Sequence, residues 1–127
     1  DQIASLITDK IGIIIIDTIS MHYRLELSQT TEGYEINSAL ARQIANLMKD
    51  AATHNIPIIV TSQVYADFKD KDRVNIVGGD ILKNGSKCLI ELHYTNGIRK
   101  ASLRKHRSIK EYTIDFTITE KGIEKKR

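Results

Sequence analysis

Asp17 closes the apolar run in "IGIIIIDTIS", residues 11–20. A carboxylate at the end of so buried a strand can hold a magnesium ion, directly or through water, beside a triphosphate. It can also do no more than cap a turn. Gln63 ends a second apolar run, "IPIIVTSQV", and would lie beside Asp17 if the two strands are neighbours. A neutral amide there can orient a water or sense a terminal phosphate, or it can bond only to backbone. In "LRKHRS" the cations Lys105 and Arg107 flank His106. On an extended strand alternate side chains share a face, which suits a γ-phosphate, including one across a subunit boundary, and equally suits a solvated edge strand. Gly78-Gly79 before Asp80 predicts either a helix start facing an anion or a hinge and cap.

Other chemistries lack their residues. His22, His54, His93 and His106 have no metal-ligand spacing with each other or with Cys88, which argues against zinc. No Ser/His/Asp or Cys/His arrangement stands out. "NGS" at 84–86 matches a glycosylation acceptor that a cytoplasmic chain would not use.

The 127 residues are 41% hydrophobic and 28% charged, a globular balance that suits one domain. The single cysteine excludes an internal disulfide and fits a reducing, cytoplasmic setting. No apolar run approaches the roughly 20 residues that span a bilayer, so no membrane partner is expected. The net charge of +3 permits an anionic partner. Its local concentration is in "RKASLRKHRSIK", residues 99–110, which contains no acid. The chain starts without methionine, on Ile3, Leu6 and Ile7 at helical spacing, and reads as a piece of a longer protein.

The elements that must position these residues follow from hydrophobic period. The isoleucine run at 11–16 predicts a strand buried on both faces. Residues 21–34 show no clean period and read as a long loop. Residues 35–54 predict a helix, with Ile36, Leu40, Ile44, Leu47, Met48 and Ala51 on one face and Arg42, Lys49 and Asp50 elsewhere. Pro57 opens the next buried strand, so the first half is a βαβ unit. Residues 65–77 are polar and read as a second long loop. A short helix from Asp80 to Gly85 follows, then antiparallel strands with a "TNG" hairpin turn at 95–97. Both long loops follow the C-terminal ends of parallel strands, where open α/β sheets bind ligands.

This order of parts, over essentially the whole chain, resembles the RecA/RadA recombinase family, and within it the shorter archaeal paralogues. "IIIIDTIS" is similar to the family's Walker B strand, "IIVTSQV" to its phosphate-sensing strand, and "VGGDILKNGSKCLIEL" to the segment after its second DNA-binding loop. "LRKHRS" is similar to a Lys-x-Arg finger found in those paralogues and in KaiC-like ATPases. The resemblance implies an α/β, RecA-type P-loop ATPase core, C-terminal part: a βαβ unit followed by antiparallel strands. It implies ATP and magnesium as cofactors, with Asp17 toward the metal and Gln63, Lys105 and Arg107 toward the phosphates. It implies DNA, mainly single-stranded, as a partner of the two loops, through Arg24, Lys69, Lys71 and Arg73, with Tyr23, Tyr65 and Phe68 as stacking groups. A recombinase or a further copy is the implied protein partner, in DNA repair and recombination.

No G-x-x-x-x-G-K-[ST] occurs in the chain. The phosphate-binding strand and helix are therefore expected upstream, in an N-terminal half that would be a further partner. Without that strand, two inner edges are expected to lie unpaired, and the segment alone is expected to be an inactive ATPase. The competing readings are a non-catalytic module that docks on a recombinase and a fragment of a KaiC-like ATPase.

Overall fold

The computed structural model describes residues 3–29, 33–66 and 74–126. They form two compact units, Asp1–Gly85 and Ser86–Arg127. Among the described residues no helix is long and apolar enough to cross a membrane.

The first unit is the expected βαβ arrangement. β1 (Ile14–Ile16) pairs in parallel with β2 (Ile58–Val60), placing Ile14, Ile15 and Ile16 opposite Ile58, Ile59 and Val60. Between them run two helices, α1 (Ser20–Gln29) and α2 (Gly33–His54). The N-terminal segment is a 3₁₀ turn at Ala4–Leu6. β3 (Val64–Ala66) and β4 (Val74–Ile76) form an antiparallel pair, and α3 (Gly79–Gly85) closes the unit.

α2 carries the core because its apolar residues recur at helical spacing. Leu40, Ile44 and Leu47 bury against Leu82 of α3, with Ile16, Ile58 and Val60 packed onto the cluster from the strands. Two glycines permit this closeness. At Gly85 an added Cβ would collide with Ile44 Cγ2. At Gly78 φ is 90° and a Cβ would meet Leu40 Cδ2 at 3.0 Å.

Several expectations need correction here. Residues 21–34 are not a loop: α1 fills 20–29 and α2 begins at Gly33. The segment 65–77 is not all loop, since it starts in β3 and ends in β4. The isoleucine strand is not buried on both faces: Ile15 is 62% exposed and its opposite neighbour Ile59 is 49% exposed. Only the alternate residues reach α2, whose single layer covers one face of the pair. Asp50 does not lie away from the core but is 7% exposed. It stands three residues after Leu47, on the same helical stripe, and its Oδ2 has no hydrogen-bond partner among the described residues.

The second unit is a four-stranded antiparallel sheet in chain order: β5 (Leu89–Thr95), β6 (Ile98–Lys105), β7 (Tyr112–Thr119) and β8 (Gly122–Lys125). β5 and β6 meet through Asn96-Gly97, both at positive φ, as the sequence predicts for a tight hairpin. Directly opposed residues share a face. Ile90, Leu103 and Tyr112 form one row, and Leu92, Ala101 and Ile114 the next, on an apolar face. Glu91, Ser102 and Thr113 belong to the opposite, polar face. Among the described residues β2 and β5 each pair along one edge only.

Candidate functional site

The parallel register brings the C-terminal ends of β1 and β2 side by side, and short polar side chains lace them together. Thr61 N–H donates to Ile16 O at 3.0 Å, and Ile19 N–H donates to Thr61 O at 3.2 Å. Thr61 Oγ1 donates to Asp17 Oδ1 at 2.5 Å, the length of a charge-assisted bond to a carboxylate. Asp17 is otherwise exposed at the mouth of the strand.

Thr18 and Ser20 extend the lacing toward Gln63. Thr18 Oγ1 donates to Thr61 O at 3.0 Å, which uses its only proton. In the 2.7 Å contact between Thr18 Oγ1 and Ser20 Oγ, Ser20 is therefore the donor. Ser20 Oγ accepts in turn from Gln63 N–H at 3.1 Å. The result is a directional chain from Gln63 N–H through two hydroxyls to the Thr61 carbonyl. Ser20 is its buried centre, at 1% exposure, and also the first residue of α1.

The side chain of Gln63 is held separately. Arg24, one turn into α1, donates from Nη1 to Gln63 Oε1 at 2.9 Å. The expected phosphate sensor and an expected DNA-contacting cation therefore touch. Beside them lies a cavity of about 480 Å³, lined among others by Tyr23, Arg24, Asn37, Tyr65, Gly78 and Gly79. Tyr23 OH donates to Asn37 Oδ1 at 2.7 Å, fixing α1 against α2. Lys69, Lys71, Arg73 and Phe68 lie outside the described residues. Gly79 opens α3, a helix of seven residues, where Asp80 approaches Lys83 at 3.9 Å.

Could the residues present hold a magnesium ion? Among the described residues no three His, Cys, Asp or Glu side chains come together. Asp17 offers one hard carboxylate beside a threonine hydroxyl. That set suits a magnesium ion that keeps most of its waters and takes its remaining oxygens from phosphate.

Lys105 and Arg107 belong to the second unit. β6 ends at Lys105, so the two are not alternate positions on one strand, as the extended reading expects. Arg107 sits in the turn that follows. The turn forms because His106 Nδ1 accepts from two backbone amides, Ser108 N–H at 3.1 Å and Ile109 N–H at 3.0 Å.

The rest of the basic block is largely answered by neighbouring strands. Lys100 pairs with Asp115 at 2.7 Å, and Arg104 Nε donates to Glu91 Oε2 at 2.6 Å. The Glu91 hydrogen bond pushes the Arg104 pKa above its ordinary high value. Arg99 lies over the Tyr94 ring, 5.6 Å from its centroid. A block that reads as wholly basic along the chain thus meets acids and an aromatic ring across the sheet.

Thr18, Ser20, Thr61 and His106 are the site residues that sequence reasoning misses. One signal was available: hydroxyl residues just before a helix are N-terminal capping types, and "DTIS" supplies two.

Parallel strands joined through helices, polar groups gathered at the strand ends and a following antiparallel sheet define a RecA-type core. The comparisons make the assignment specific. The Rad51 family model matches residues 1–126. The chain is 38% identical over 123 residues to the DNA repair and recombination protein RadB of Methanocaldococcus jannaschii, covering 94% of this chain and 55% of the relative. It is 40% identical over 121 residues to the protein of that name from Methanococcus maripaludis, covering 91% and 53%. Among solved structures it is similar to the crystal structure of the RadB recombinase, with a TM-score of 0.71 and 28% identity over 96% of this chain and 55% of that one. The chain belongs to the Rad51 family and is homologous to the archaeal RadB proteins. It spans about half the length of the curated relatives it matches.

Proposed function

We propose that these residues are the magnesium- and sensor-bearing part of a RadB-like ATPase core that acts in DNA repair and recombination. In this reading the whole protein binds ATP with magnesium and contacts single-stranded DNA. Asp17 holds the metal through water, and Gln63 reads the terminal phosphate. Lys105 and Arg107 face a phosphate, including a neighbouring subunit's, while Arg24 and the cations at 69, 71 and 73 face DNA.

The observation that carries this reading is the lacing of Asp17, Thr18, Ser20 and Thr61 to Gln63 at the paired strand ends. It fixes the Asp17 carboxylate through the Thr61 hydroxyl and the Gln63 backbone through Ser20, while Arg24 holds the Gln63 side-chain amide. Such pre-set donors and acceptors are what phosphoryl chemistry requires of a protein.

The test is binding of a fluorescent ATP analogue in magnesium by this chain combined with a phosphate-loop-bearing RadB portion. Asp17→Ala should weaken binding about tenfold, the order expected for loss of a charge-assisted metal contact. A combined sample that is folded and binds no analogue would sink the nucleotide reading. Loss of single-stranded DNA affinity with rising salt would support the phosphate-contacting cations.

A docking module is the second reading, and one observation favours it. Ile90, Leu92, Tyr94 and Tyr112 stand exposed together on the apolar face of the second unit, where a protein partner would find a ready surface.

A further inference from the structure

His106 lies between the two cations of "LRKHRS", and its position invites the assumption that it too reaches for phosphate. The geometry gives it a different task. Nδ1 accepts the amide protons of the second and third residues onward, Ser108 at 3.1 Å and Ile109 at 3.0 Å. An atom that accepts twice carries no proton, so the ring proton sits on Nε2.

Nδ1 stands as many bonds from its Cα as Oδ1 of asparagine or aspartate does. Bonding to the amides two and three residues on is also what those residues do when they cap a turn or a helix start. His106 is thus an asparagine-like cap built from an imidazole. It acts at a particular place: β6 stops at Lys105, β7 begins at Tyr112, and Arg107 rides on the backbone between. Capping the amides of residues 108 and 109 restricts the dihedral angles that aim Arg107. A long cation on an unrestrained turn spends most of its time in other directions.

We propose that His106 is a positioning residue: through its Nδ1 bonds to the amides of Ser108 and Ile109, it sets the β6–β7 turn so that Arg107, with Lys105 at the strand end, presents an anion site for a polyphosphate. The proposal rests on the reading that this pair of cations faces phosphate. It assigns His106 to the backbone rather than to the ligand.

The test uses the whole chain and nuclear magnetic resonance, with inorganic tripolyphosphate as the probe. In the unsubstituted protein the Ser108 and Ile109 amides should exchange slowly, and tripolyphosphate should shift resonances within 105–110. His106→Ala should speed exchange at those two amides and raise the tripolyphosphate Kd about fivefold, as loss of a typical cap would. His106→Asn should restore both, because the acceptor returns at the same distance from Cα. His106→Gln should restore neither, since its acceptor is one methylene further out. If Ala leaves exchange unchanged, or Asn restores nothing while the rest of the sheet remains folded, the positioning role is overturned. Arg107→Ala checks the underlying reading separately: it should weaken tripolyphosphate with His106 and its amide bonds intact. No shift at 105–110 in any variant would overturn the anion site itself, whatever the exchange data say of the cap.

Discussion

The two units each bury one serine almost completely, and the two serines are wired differently. Ser20, in the first unit, is 1% exposed and stands in series, with Thr18 on one side and the Gln63 amide on the other. Ser102, in the second unit, is 2% exposed and has a single side-chain partner, Thr113, directly across the sheet. The first is a junction between a helix start and two strand ends. The second is an ordinary cross-strand pair. Burial alone therefore does not mark a functional hydroxyl. What marks it is the number of separate elements that lose a partner when it goes.

That difference fixes the largest effect. Ser20→Ala leaves the Gln63 amide without its acceptor and Thr18 without the Ser20 hydroxyl. Each of the two part-buried bonds lost, to Thr18 and to the Gln63 amide, is worth about 0.5–1.5 kcal/mol, and urea denaturation should show a loss of about 1–3 kcal/mol. Weaker binding of the ATP analogue should accompany it if the lacing orders the site. A loss no greater than that of Ser102→Ala would break the comparison.

The contact between Arg24 and Gln63 sharpens it further. Both side chains are exposed, so the bond competes with water, and its coupling energy should be about 0.5–1 kcal/mol. A double-mutant cycle of Arg24→Ala, Gln63→Ala and the pair measures it. Zero coupling would mean that Gln63 is placed by its backbone bond to Ser20, and that Arg24 merely lies nearby.

The sequence showed much of the scaffold and little of this wiring. Two short apolar runs and the stripe from Ile36 to Leu47 were enough for β1, α2 and β2, because burial of such residues leaves few alternatives. Asn96-Gly97 announced its hairpin for the same kind of reason: few residue pairs tolerate two positive φ angles. α1 was illegible because it has no apolar stripe, and Met21 and Leu25 stand exposed on it. Beside the packing of Tyr23 on the core, its attachments are hydrogen bonds to other elements: Ser20 to Gln63, Arg24 to Gln63, Tyr23 to Asn37. A periodicity argument sees none of these. Asp50 misled for the opposite reason. Its charge suggested solvent, while its spacing from Leu47 placed it on the buried stripe. Nor does a run of isoleucines say how many of its faces a neighbour covers, and Ile15 and Ile59 share the open one.

The smallest effect belongs to the second serine, and it carries an internal check. Ser102→Ala removes the cross-strand hydroxyl pair but abandons only Thr113, whose side chain is exposed and can turn to water. The cost should be roughly 0–1 kcal/mol. Thr113→Val makes the converse cut, taking the exposed partner and leaving the Ser102 hydroxyl buried without it. The same 2.7 Å bond is lost in both variants, so a bond-counting account predicts equal losses. If abandonment of a buried group is what costs energy, Thr113→Val should be the worse of the two by about 1 kcal/mol in urea midpoints converted with a common slope. Equal losses would mean that Ser102 finds another acceptor within the sheet, and the contrast with Ser20 would then rest on the Gln63 amide alone.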